Sequence, residues 1–310
     1  MVNTVKNISI VLAVLILSAC SEQYKGLGSS ILSSTGLVTG SQANAAFEAG
    51  SKLGKSAKGI NEEQEYYLGR SVSAMVFAKY RPLRNRKAID YVNKVGKAVA
   101  SVSDKPETFN GYHFMILDTN EINALSAPGG YVFITKGFIN ILPDEDALAA
   151  VLAHEVAHIV KEHGMNAISS SNLTDALLII GKEVAASQTG GVTAELTNLF
   201  GDSVNEVFDT VINKGYSRSQ EYDADEYAAE LLVRAGYNTA SFTSALQALE
   251  KTGAAEDAGG WASTHPAASK RLDELEDILP DLKVTSIPNM QTARTKRFRD
   301  SLAGLVSPKA

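Results

Sequence analysis

His154-Glu155-Val156-Ala157-His158 sets two imidazoles and a carboxylate at a spacing that can do chemistry on a helix. Residues four apart on an α-helix are offset by only about 40°, so His154 and His158 project from one face. Glu155 lies about 100° from His154 and about 60° from His158, so the three side chains fit within little more than one quadrant. Two imidazoles for a metal and a carboxylate beside its water are what a catalytic zinc site needs. With five histidines in 310 residues, chance rarely produces that spacing. Leu148, Val151, Leu152, Val156, Ile159 and Val160 surround it with apolar side chains, which makes a chance match rarer still.

A catalytic zinc usually takes a third protein ligand and keeps a position for water. The extended pattern with a third histidine six residues beyond the second is ruled out, because Lys161 and Gly164 stand where Gly and His are required. His163 is rotated by about 140° from His158 on the same helix. Its expected role is to cap the helix end, where a partly positive imidazole meets the negative end of the dipole. A carboxylate from a later helix remains, and Glu183, Glu195, Glu206 and Glu221 are the candidates by position. Of these only Glu221 has an Asp four residues on, Asp225, which can share its face and hydrogen-bond the outer nitrogen of a zinc-bound histidine. Asp223 falls on the opposite face and is expected to be solvated.

These residues need a frame. Pro143-Asp144-Glu145-Asp146 is a helix start, with an Asp able to cap and carboxylates at the positive end of the dipole. Upstream, Glu62 opens one helical pattern and Ala88–Val102 another. Tyr112–Leu117 and Tyr131–Thr135 read as short strands, with Asn123–Gly130 as a turn region between them. Downstream, Gly164–Gly215 is a long insertion with expected helices at Leu173–Ala186 and Val192–Val211. Ser219–Ala235 is an acidic helix ending at Gly236 as C-cap. Helices are expected around Ser241–Lys251 and Ala267–Leu279, and the final thirty residues are mostly polar.

The HExxH stretch, Glu221-Tyr222-Asp223-Ala224-Asp225, Thr264-His265-Pro266 with Arg271, and the block Asn123-Ala124 with Pro128–Gly137 together resemble the HtpX/CAAX-prenyl-protease-related gluzincin metallopeptidases, over roughly residues 61–280. The resemblance implies an α+β fold, mainly helical, with a small sheet whose edge strand flanks the active-site helix. It implies one zinc ion (Zn2+) per chain on His154, His158 and Glu221, with Glu155 as catalytic base. It implies that the Gly130–Thr135 strand is that edge, pairing an extended substrate through Gly130, Tyr131, Val132 and Phe133. It also places His265 near the metal, where the corresponding histidine of some relatives blocks the open position. Read from the residues alone, a His before Pro commonly just shapes a helix start. Arg271 is expected to steady the substrate or an active-site carboxylate, and His265 or Arg271 to help hold the developing oxyanion as catalytic residues. The activity implied is zinc-dependent endopeptidase action on unfolded or misassembled envelope proteins. The alternative is an assembly factor with latent proteolysis.

The N-terminus places this domain. Lys6 and the apolar run Ile8–Leu17 form a signal segment too short to span a bilayer comfortably. Leu17-Ser18-Ala19-Cys20 resembles a bacterial lipobox, so residues 1–19 are expected to be removed and Cys20 acylated. Stable anchoring then requires two or more acyl chains. Ser21 after the cysteine, by resemblance to Gram-negative lipoproteins, points to the outer membrane, facing the periplasm. That is the lipoprotein branch of the family, with outer-membrane assembly machinery as a further implied partner. Residues 20–60 are rich in Gly, Ser and Ala and read as a flexible tether. The catalytic domain is expected over 61–283 and a tail over 284–310. Cys20 is the chain's single cysteine, which excludes an internal disulfide, and a net charge of -6 without a basic cluster argues against nucleic acid as a partner.

Overall fold

Asp144 starts the central helix as the sequence predicts: its side chain accepts a hydrogen bond from Ala147 N at 2.9 Å, and Glu145 and Asp146 occupy the first turn. In this computed structural model, described for residues 61–167, 201, 204–252, 261–265, 268–279, 282 and 288–305, that helix is the axis of the fold. The signal segment, Cys20, the tether, the Leu173–Ala186 helix and most of the Val192–Val211 helix lie outside the described residues.

In chain order the elements are helices α1 (Glu62–Lys79) and α2 (Arg86–Ala100), and strands β1 (His113–Leu117), β2 (Ala124–Ala127) and β3 (Tyr131–Thr135). Helices α3 (Lys136–Ile141), α4 (Glu145–Val160), α5 (Arg218–Ala235), α6 (Ala240–Glu250), α7 (Trp261–Thr264), α8 (Ala268–Ile278) and α9 (Pro288–Ser301) follow. A π-helical turn, Thr210–Lys214, precedes α5. The α+β architecture is therefore mainly helical with one small sheet, as expected.

Every residue of α4 except Val160 is buried, so the helix is enclosed on all sides rather than amphipathic. Neighbours pack on it from several sides: α5, α2, α6, α9 and the sheet. Leu148, Leu152 and Val156 join Phe114, Val132 and Ile134 in one core.

The sheet order is β1-β3-β2, with β1 parallel and β2 antiparallel to β3. This corrects two expectations. The Asn123–Gly130 region is not all turn, because Ala124–Ala127 pairs with Tyr131–Ile134 as a strand. Ala and Ser favour strands weakly, and here tertiary pairing overrides that preference. Nor is the Gly130–Thr135 strand an edge. Tyr131, Val132 and Phe133 are hydrogen-bonded to neighbours on both sides, which removes them as a pairing template, and Gly130 belongs to the Pro128–Gly130 turn. The edge strand that lies against α4 is β2.

Helix α1 fixes that turn. A Cβ on Gly69 would sit 1.8 Å from Pro128 O, so only glycine allows the approach. Gly129 N donates to Glu65 Oε1 at 2.9 Å, while Lys105 Nζ holds the other oxygen of that carboxylate at 2.6 Å.

The polar C-terminal stretch also differs from expectation. Instead of a tail, residues 288–301 form α9, with Phe298 and Leu302 buried in the core. Arg297 grips Glu145 through two nitrogens, and Arg294 lies 3.3 Å from Asp146. The two acidic residues at the start of α4 are thus paired by arginines of α9.

Candidate metal centre

His154, Glu155 and His158 are buried on α4, and a buried charge or imidazole needs partners. Glu221, from the first turn of α5, and His265, just after α7, supply them. One ligand atom from each of His154, His158, Glu221 and His265 falls within 4.8 Å of the others, and all four side chains are buried. His158 Nε2 lies 3.0 Å from His154 Nε2. Each is 3.5 Å from a Glu221 oxygen. His265 Nδ1 lies 3.4 Å from His154 Nε2 and 2.8 Å from Glu221 Oε2.

Those separations test whether zinc fits. Four ligands at about 2.0–2.1 Å from a tetrahedral ion are about 3.3–3.4 Å apart, close to the edges of this quartet. Three ligands plus water make a catalytic site, whereas four protein ligands make a closed one. His265 is that fourth group, and its Nε2 lies 4.0 Å from Glu155 Oε1. Both Glu155 carboxylate oxygens are buried with no hydrogen-bond partner, as are Ser126 Oγ and Arg271 Nη1. A buried carboxylate without a hydrogen bond, beside four donors that could hold a metal ion, is poised for a group that the fold itself does not provide.

Asp225 stands where the sequence places it. Its Oδ1 accepts from His154 Nδ1 at 2.9 Å, which directs His154 Nε2 toward the quartet. Arg271 meets one of the partners expected for it, a carboxylate. It is fully buried and clamps Asp225 through Nε at 2.7 Å and Nη2 at 2.5 Å. It therefore steadies the Asp225 carboxylate, while its Nη1 lies 3.9 Å from Glu221 Oε2.

The electrostatics follow from burial against pairing. Burial raises the Glu155 pKa above its ordinary range, opposed in part by His265 and His154. Burial and Arg271 push His154 down, but its bonds to Asp225 and Glu221 prevail and lift it to about 9. Burial would raise Glu221, yet His265 and the other imidazoles hold it well below the usual carboxylate range. Burial and the neighbouring His154 push His158 well below 6.5.

Three residues around the quartet were not foreseen. Tyr216 stacks on His158 at 4.2 Å, and Trp261 stacks on His265 at 3.8 Å. Gly215 brings these walls together, because its φ of 75° suits glycine and a Cβ there would meet Thr264 O at 2.0 Å. His163 does not merely cap α4, since its Nδ1 lies 2.9 Å from His158 Nδ1. Asp223 is not simply solvated, since it meets Lys161 Nζ at 2.8 Å and His163 Nε2 at 3.3 Å. Only the chain's single tryptophan carried a compositional signal; the Gly215 and Tyr216 contacts depend on how the segment before α5 folds back.

Residues 86–279 match Peptidase family M48. The chain is 30% identical over 198 residues to the mitochondrial metalloendopeptidase OMA1 of Schizosaccharomyces pombe, covering 63% of this chain and 54% of that protein. It is 25% identical over 191 residues to the metalloprotease YcaL of Escherichia coli, covering 60% and 70%. It is 24% identical over 164 residues to the beta-barrel assembly-enhancing protease of Escherichia coli, covering 51% and 32%. The chain thus spans about half the length of the first of these relatives and about a third of the last.

Proposed function

The chain belongs to peptidase family M48, and from that premise we propose that it is a zinc-dependent endopeptidase acting on unfolded or misassembled proteins of a bacterial envelope. One observation carries the reading: Glu155, buried and without a hydrogen bond, stands beside the convergent donors of His154, His158, Glu221 and His265. A zinc ion held by His154, His158 and Glu221 would acidify a water and polarise the scissile carbonyl. Glu155 accepts the proton released as water attacks and returns it to the leaving amine. Asp225, held by Arg271, keeps the His154 Nδ1 proton in place throughout. An extended substrate pairs with the edge strand β2 rather than with β3.

Glu155→Gln keeps the ligands and removes the base. Casein cleavage is expected to fall by about 10²–10⁴-fold with zinc content unchanged. Wild-type cleavage is expected to stop with a chelator. Undiminished turnover by Glu155→Gln would overturn the reading.

A second reading, an envelope assembly factor with latent proteolysis, is favoured by His265 at the fourth ligand position. Strand β2 is also buried along its length and packs against the turn at Thr210–Lys214. One relative, the beta-barrel assembly-enhancing protease of Escherichia coli, has this role in its name. Restoration of outer-membrane assembly by Glu155→Gln would favour it over cleavage. The lipid anchor at Cys20, outer-membrane location and periplasmic orientation belong to the same proposal. Among the described residues no helix is long and apolar enough to cross a membrane.

A further inference from the structure

The two histidines on α4 are backed differently. His154 Nδ1 meets a carboxylate directly, whereas His158 Nδ1 meets a third imidazole, His163, at 2.9 Å. The end of α4 explains how a residue five positions on can fold back. Glu162 N donates to Ile159 O at 3.1 Å and His163 N to His158 O at 3.0 Å, the paired bonds of a Schellman cap. That cap needs a left-handed residue, usually glycine, and here Glu162 holds it with φ 56°. The turn swings the His163 ring under His158, overriding the 140° offset that an unbroken helix would impose.

The hydrogen bonds allow one consistent assignment of protons. With Nε2 of His158 facing the metal, its Nδ1 carries hydrogen and donates to His163 Nδ1. His163 then carries hydrogen on Nε2, 3.3 Å from Asp223 Oδ2, and Lys161 Nζ holds the other oxygen of Asp223 at 2.8 Å. His163 is 4% exposed, so its ring has little access to water as an alternative partner.

We propose that His163 is the positioning residue of the metal ligand His158, accepting its Nδ1 proton and anchored in turn by Asp223. The inference rests on the metallopeptidase reading and deepens it: one ligand histidine is fixed by a carboxylate, the other by an imidazole–carboxylate relay. Outer partners of metal-bound histidines set ring orientation and basicity, so their loss weakens metal binding.

The test is zinc affinity of the metal-free protein, read by competition with a chromophoric chelator, alongside the metal-free Tm. His163→Leu is expected to lose about 10–100-fold in affinity, with the metal-free Tm held or raised. His163→Asn places an amide oxygen near the Nδ1 position and is expected to stay within about threefold of wild type. Asp223→Ala, at a side chain 41% exposed, keeps the test available if His163→Leu does not fold. It is expected to lower affinity without lowering the metal-free Tm. Wild-type affinity in His163→Leu or in Asp223→Ala would overturn the proposal. So would equal losses in the Leu and Asn variants with a fallen metal-free Tm, which would mark a packing role. A wild-type protein that takes up no zinc would instead overturn the metallopeptidase reading itself.

Discussion

A carboxylate as deeply buried as Asp225 stays charged only when donors converge on it. Burial alone would raise its pKa, but Arg271 and the His154 Nδ1 hydrogen hold it below the ordinary aspartate range. Replacing Arg271 by Met leaves a buried charge with one donor fewer, and unfolding of the metal-free protein by denaturant is expected to show a loss of about 3–5 kcal/mol. Arg271→Lys is expected to recover only part of it, since an ammonium cannot make the two parallel bonds of a guanidinium. The depressed folded pKa also fixes the pH dependence. Asp225 contributes stability above its unfolded pKa of about 3.9, and that contribution is lost as pH falls through the lower folded value. The Tm gap between wild type and Asp225→Asn, both metal-free, is therefore expected to narrow below about pH 4. A gap independent of pH would show that Asp225 is not held as a carboxylate. Asp225 was legible from its spacing to Glu221. His163 was not, because helical geometry assigns it the wrong face and only the left-handed Glu162 reverses that.

At the scale of elements, α4 was the most legible, since capping, charge and burial agree along its length. Helix α5 was nearly as clear: Ser217 and Gln220 close it with a capping box, and Gly236 ends it left-handed at φ 73°. Strand β2 was hidden by weak propensity, and α9 by its polar composition. The sequence of α9 hides its role because its contacts to the domain are arginines rather than an apolar stripe alone. Arg297 reaches Glu145, which also accepts from Tyr91 OH at 2.8 Å and Tyr237 OH at 3.3 Å. Arg297→Ala is expected to cost about 1–3 kcal/mol, mostly from leaving a charged acceptor under-satisfied. Because the two groups share one network, the cost is expected to shrink in a Glu145→Gln background. A double-mutant cycle by denaturant unfolding measures that coupling, and an additive result would mean that α9 is held by Phe298 and Leu302 rather than by its arginines.

At the scale of the molecule, the ligand set joins three separate parts of the chain: α4 with His154 and His158, α5 with Glu221, and the residue after α7, His265. The sequence could assign three of these because two share a helix and the third has a companion Asp, whereas His265 came only through resemblance and the order β1-β3-β2 through neither. A metal that binds only the folded arrangement stabilises the whole domain by mass action. At a free zinc concentration a hundredfold above Kd the gain is about 2.7 kcal/mol, a rise of about 5–10 °C in Tm for a domain of this size. The same titration separates the two possible functions of His265. If it closes the fourth position, His265→Ala binds zinc more weakly and gains less in Tm, yet cleaves casein faster because the position is released to water. If His265 instead aids the reaction from beside Glu155, affinity stays near wild type while cleavage falls. Opposite movements of affinity and turnover are expected, since the His265 Nδ1 position completes the quartet more closely than its Nε2 approaches Glu155.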